Sequence, residues 1–156
     1  MRNENELGAT LRIGRVTEFD PKSHTARVSF WDIEEQESDF LPILVKHSHA
    51  DKYEGYADVG EKVVCLMSGQ GDEFGVILGS FYDKRNVPEV QAPETETIAF
   101  GDGTLLQYDR SGHSLKIHCC GDITIETDNT LKLKATDIEL EGMSHIKEEA
   151  PRIDLN

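Results

Sequence analysis

The chain has 156 residues, with 30 Asp and Glu against 16 Lys and Arg, a net charge of -14. A nucleic-acid binder that neutralises phosphates needs the opposite balance. Hydrophobic residues make up 37% and charged residues 29%, which reads as a soluble protein lean in apolar residues for a compact globule. No run of about 18 apolar residues occurs, so no transmembrane helix is expected. The opening Met1-Arg2-Asn3-Glu4-Asn5-Glu6 lacks the apolar stretch of a signal peptide. The cysteines, Cys65, Cys119 and Cys120, are odd in number and two are adjacent, so no disulfide framework is expected and the chain is expected to be made in the cytoplasm.

Short apolar alternations punctuated by Gly and Asx residues predict an all-β fold. The sole helical candidate, Ala50 to Tyr56, is weak and short. Residues 1–9 read as a tail. Five strands are expected over residues 10–82: Thr10 to Phe19, ending at the Asp20-Pro21 turn; His24 to Trp31; Phe40 to Val45; Glu61 to Met67; and Phe74 to Phe81. Ser68 to Asp72 joins the last two as a hairpin. Five strands with a longer polar segment between the third and fourth suit a small barrel of the OB type. Residues 83–94, with Pro88 and Pro93, read as an extended linker.

Residues 95–156 are more regular. Ile98 to Phe100 leads through the Gly101-Asp102-Gly103 turn to Leu105 to Tyr108, and a second turn follows at Asp109 to Gly112. Apolar dyads then recur: Leu115/Ile117, Ile123/Ile125, Leu131/Leu133, Ile138/Leu140 and Ile153/Leu155, with Ile146 between the last two. The steps between first members are 8, 8, 7, 8 and 7. Each dyad encloses a polar residue: Lys116, Thr124, Lys132, Glu139 or Asp154. Period 2 inside each unit predicts strands with one apolar face, and a fixed period between units predicts a solenoid or stacked array. One chain cannot easily bury so thin a stripe. Three identical chains wound about a shared axis would bring each apolar face against two partners, each aliphatic side chain contributing about 1.5–3 kcal/mol on full burial. The axial core of that trimer is expected to be Leu115, Ile117, Ile123, Ile125, Leu131, Leu133, Ile138 and Leu140.

Three segments together resemble the phage baseplate assembly protein V family, the central spikes of contractile tails, related to the valine-glycine-repeat spikes of type VI secretion. They are Asp58-Val59-Gly60-Glu61-Lys62-Val63, similar to the entry into the fourth barrel strand; Gly75 to Tyr82, similar to the strand that closes the barrel; and Phe100-Gly101-Asp102-Gly103-Thr104, similar to the turn that opens the spike. The resemblance spans about residues 10 to 156. It implies a non-enzymatic homotrimer, with an N-terminal OB-fold collar that attaches to tail hub and baseplate proteins and an intertwined trimeric β-helix needle. That virion component, made in the bacterial cytoplasm, would pierce the target cell membrane transiently. Longer members end in a His-x-His apex that holds iron; here the chain closes on Ile153-Asp154-Leu155-Asn156 without it. No metal or other cofactor is expected, and Ile153 and Leu155 are expected to bind a separate PAAR-like tip protein.

The remaining candidates have plainer readings. His47-Ser48-His49 puts two imidazoles on one strand face, as a metal site requires, but far from the needle end, so a solvated pair is expected. Cys119 falls in the register of Leu115 and Ile117, facing the axis as a small apolar filler, with His118 outward. Cys65 reads as a buried strand residue. His145 faces water if Ile146 faces inward. The pairs Glu34-Glu35 and Glu148-Glu149 resemble catalytic dyads but lack aromatic neighbours. No nucleophile motif or phosphate loop occurs. Two other readings stand beside the spike: an OB-fold module for carbohydrate or nucleic acid, and an envelope-degrading β-helix enzyme.

Overall fold

The computed structural model describes residues 10–31, 36–68, 74–89, 92–147 and 149. Among these there is no helix, so the fold is all-β. The Ala50 to Tyr56 expectation is overturned. That stretch turns back through a Ser48–Lys52 bridge and a Tyr53 N–H to His47 carbonyl bond of 3.1 Å. With Gly55 in it and Asp51, Lys52 and Glu54 through its middle, so short a helix would be marginal. The chain divides into two compact units, one ending at Ala92 and the other starting at Pro93.

The first unit is one antiparallel sheet of five strands: β1 (Thr10–Asp20), β2 (Thr25–Phe30), β3 (Leu41–Pro42), β4 (Lys62–Met67) and β5 (Gly75–Ser80), in the order β3-β2-β1-β4-β5. The edges nearly meet. Ile43 bridges Ile77 in parallel, and the Leu44 N–H donates to the Ile77 carbonyl at 2.9 Å. The result is a nearly closed barrel, compatible with an OB-type fold. The third strand is shorter than its apolar run implied. Only Leu41 and Pro42 pair with β2 before the chain crosses towards β5, and Pro42 has no N–H to extend the ladder.

Strict alternation drives closure. Val16, Ala26, Val28, Phe30, Leu41, Val63, Cys65, Met67 and Ile77 point inward and form the buried apolar core among the described residues. Register shifts between Val16 and Glu18 on β1, and between Val64 and Cys65 on β4, bend the sheet, as bulges do where a sheet must curl. Gly14 lies at the centre of β1, paired with Phe30 on one side and Val63 on the other. A Cβ there would come within 2.3 Å of a Val28 methyl and 2.6 Å of the Ser29 carbonyl, so the barrel closes to a radius that only glycine permits. Arg12 is buried, its guanidinium 3.9 Å above the Phe30 ring, a cation stacked on an aromatic face.

The expected linker begins as a structured turn. Asp83 pairs with Lys62 of β4, accepts the Arg85 and Asn86 N–H groups at 2.7 and 2.8 Å, and donates its own N–H to the Asn86 carbonyl. The Lys62 ammonium, then these two N–H groups, hold the Asp83 carboxyl well below the usual carboxylate range. A carboxyl depressed in the folded state stabilises above its unfolded value of about 3.9, and the contribution disappears as pH falls through the folded value. Asp83→Asn is therefore expected to lower stability at neutral pH and to flatten the acid limb below about pH 4, read from denaturation midpoints against pH. An unchanged acid limb would show that this contact contributes nothing.

The second unit holds a three-stranded antiparallel meander: β6 (Thr95–Ala99), β7 (Leu105–Asp109) and β8 (Ser114–His118). Its two turns follow from their sequences. In the first, Gly103 takes φ +90° and the Phe100 N–H reaches the Thr104 carbonyl at 2.9 Å. Asp102 accepts the Thr104 N–H at 2.8 Å. In the second, Asp109 accepts the N–H groups of Ser111 and Gly112. Such Asx turns close loops without help from the rest of the fold.

Candidate assembly interface

Pairing within the meander puts directly opposed residues on one face. Ile98, Leu106 and Ile117 form one cross-strand row, and Glu96, Tyr108 and Leu115 the next. That face is apolar apart from Glu96. The opposite face carries the rows Thr97, Gln107, Lys116 and Thr95, Asp109, Ser114, with a Gln107 to Thr97 hydrogen bond of 3.4 Å. In a packed domain the apolar face would be covered. Here Ile98 is 51% exposed, Ile117 59% and Leu115 63%. The meander therefore places Leu115 and Ile117 on an uncovered apolar sheet face and Lys116 on the polar side.

Beyond β8 the described backbone to Lys147 forms no strand and makes no backbone–backbone hydrogen bond. The dyad side chains Ile123, Ile125, Leu131, Leu133, Ile138 and Leu140 are all exposed. The backbone polar groups of this exposed segment are open to water or to strands of another chain, and aliphatic dyads at regular spacing mark an apolar surface suited to association. Among the described residues no strand pairs with this segment and nothing covers its dyads. The polar contacts in this stretch are local, such as the Asn129 N–H to the Thr127 hydroxyl at 3.3 Å.

Cys119 is half-buried beside the Thr104 hydroxyl at 3.9 Å, and the neighbouring Cys120 is exposed, its N–H bonded to that same hydroxyl at 3.2 Å. His118, His145 and the pair His47 and His49 are exposed. Among the described residues no three metal-ligating side chains come together. Glu34, Glu35, Glu148, Ile153 and Leu155 lie outside the described residues. Cys65 is fully buried in the barrel, and burial pushes its thiol up to about 11, opposed by the nearby Arg12 cation. Thiolate is the reactive form, so iodoacetamide at pH 8 is expected to spare Cys65 until denaturant is added. Labelling of Cys65 in the folded chain would contradict its burial.

The barrel carries a second feature. Trp31 is 51% exposed, with the Arg15 guanidinium 5.9 Å and the Lys62 ammonium 5.1 Å from its ring. Tyr53 and Tyr56 line a groove of about 260 Å³ with His24, Leu44 and Lys46. Residues distant in sequence converge at both places, which alternation patterns alone do not reveal.

The meander's bare apolar face and the unpaired dyad repeat make residues 95–147 the candidate site, a surface for assembly. No protein-family model matches this sequence, nor does any curated protein at significant similarity.

Proposed function

We propose that this chain is the structural central spike of a contractile-tail baseplate: a homotrimer whose OB-type barrels form a collar and whose dyad repeats wind into a β-helix needle that pierces a cell envelope. One observation carries the reading. An apolar sheet face and a dyad repeat without strand pairing adjoin in sequence, and among the described residues neither is covered. Three copies about one axis satisfy them together, because each strand then finds hydrogen-bond neighbours and each dyad an apolar centre. A rigid rod of interchain strands transmits axial force, and its function needs no catalytic group.

Molar mass by light scattering tests the assembly. A value near three times 17.5 kDa supports it, and a monomer at micromolar concentration removes it. Immunogold labelling of contractile tails from a producing strain tests the role; the label is expected at the centre of the baseplate. A second reading has its own observation, the exposed Trp31 flanked by Arg15 and Lys62 on the barrel. Aromatic faces with cations bind sugars or stacked bases in small barrels. Quenching of Trp31 fluorescence by oligosaccharides or oligonucleotides would favour that role.

A further inference from the structure

The polar residues that alternate with the dyads form a pattern of their own. On β8 the register places Lys116 on the polar side of the meander, between the apolar positions Leu115 and Ile117. Carrying the same parity along the repeat assigns the polar-side positions of each later unit. The first unit offers Lys116 and His118, the second Thr124 and Glu126, the third Lys132 and Lys134, and the fourth Glu139 and Glu141. Successive units therefore alternate in sign: positive, negative, positive, negative.

We propose that this alternation sets the axial register between copies of the chain, each charged rung pairing with rungs of opposite sign from the two neighbouring copies. The inference rests on the trimeric reading above. Its geometry follows from three-fold symmetry. A unit of seven or eight residues covers one face of a three-sided needle, so the next unit of that chain moves to the next face. On any one face, unit n of one copy is then stacked between unit n-1 of one neighbour and unit n+1 of the other. Every stacked pair joins consecutive units from different copies, and opposite charges on adjacent strands attract while like charges repel. A slip by one unit leaves every apolar dyad facing inward, so the core cannot forbid it. The same slip brings Lys132 and Lys134 beside lysine rungs and the Glu rungs beside each other. The apolar stripe thus drives association and the charges select the register, as e and g residues do in coiled coils.

The test uses the full chain in four forms. K116E/K132E/K134E makes the rungs uniformly acidic, E126K/E139K/E141K makes them uniformly basic, and the six-fold exchange restores alternation with the signs reversed and net charge unchanged. Mass is read by light scattering and the thermal midpoint by circular dichroism. Both three-fold variants are expected to melt lower than wild type, by on the order of 5–10 °C, and the six-fold exchange to recover most of that loss. The basic variant is decisive, because it moves the net charge towards zero and general repulsion cannot explain a loss. Refolding the two three-fold variants together is expected to give mixed trimers above the random proportion. A trimeric wild type whose variants melt alike, or a six-fold exchange no better than its halves, overturns the inference and leaves the trimer standing. A monomeric wild type overturns both.

Discussion

Ile125→Asp is expected to leave the chain monomeric. In the proposed needle Ile125 faces inward with Ile123; it is 69% exposed in the single chain, so the substitution costs little before assembly. In a trimer it sets three carboxylates around one axis. Burial of even one unpaired charge is strongly unfavourable, and the three repel one another. Thr124→Asp, one position earlier and of opposite parity, is expected to remain trimeric. Light scattering separates the outcomes: about one chain mass for the first variant and about three for the second. The barrel strands lie in a separate unit, so the β-signal of the first unit should persist in the Ile125 variant. Equal masses for the two variants would mean that the dyads do not face a common axis.

The other large effect is expected in the barrel. Phe30 is 1% exposed and carries the Arg12 guanidinium 3.9 Å above its ring. Phe30→Ala removes its packing and leaves a cavity, a loss of about 3–5 kcal/mol in comparable cores. It also strips the aromatic face from a buried cation, which places the expectation at the upper part of that range. The measurement is the urea midpoint of the full chain at unchanged slope. Phe30→Leu keeps most of the volume and should recover part of the loss. A change below about 0.5 kcal/mol, the size of an ordinary surface substitution, would show that Phe30 is not a central element of this core.

The strands of the first unit were legible because their periodicity is strict. Thr25–Phe30 alternates half-buried and buried residues along its whole length, and Lys62–Met67 nearly so. The meander was legible through its turns, where Asp102 and Asp109 hold their loops locally. Other features were closed to a reading of pattern. The shortness of β3 reflects where the chain crosses to β5, a contact between Ile43 and Ile77 far apart in sequence. The turn at Asp83 depends on Lys62, 21 positions away, and a Pro-containing stretch gives no sign of such an anchor. In the candidate interface, the dyad spacing and the parity of Leu115 and Ile117 on β8 were plain from sequence. That Ile98, Leu106 and Tyr108 extend the same apolar face was not, because only the cross-strand register aligns them with Ile117 and Leu115. Trp31 with Arg15 and Lys62 is likewise a product of strand pairing, which brings Arg15 opposite Lys62.

The meander also bears on how copies of the chain would come together in time. Its strands pair only with sequence neighbours, across turns that their own side chains close, and such local structure forms in microseconds. In the proposed assembly, residues 95–118 would thus present a ready platform while the repeat beyond still awaited strand partners. The entropy of ordering is already met at one end and outstanding at the other. Encounter between copies should begin on the meander faces, a step whose rate depends on concentration. The repeat would then close unit by unit towards Lys147 at a rate that does not. Assembly would proceed in one direction, like a zip with a fixed slider box, and dilution would lengthen the wait before closure without slowing the closure itself.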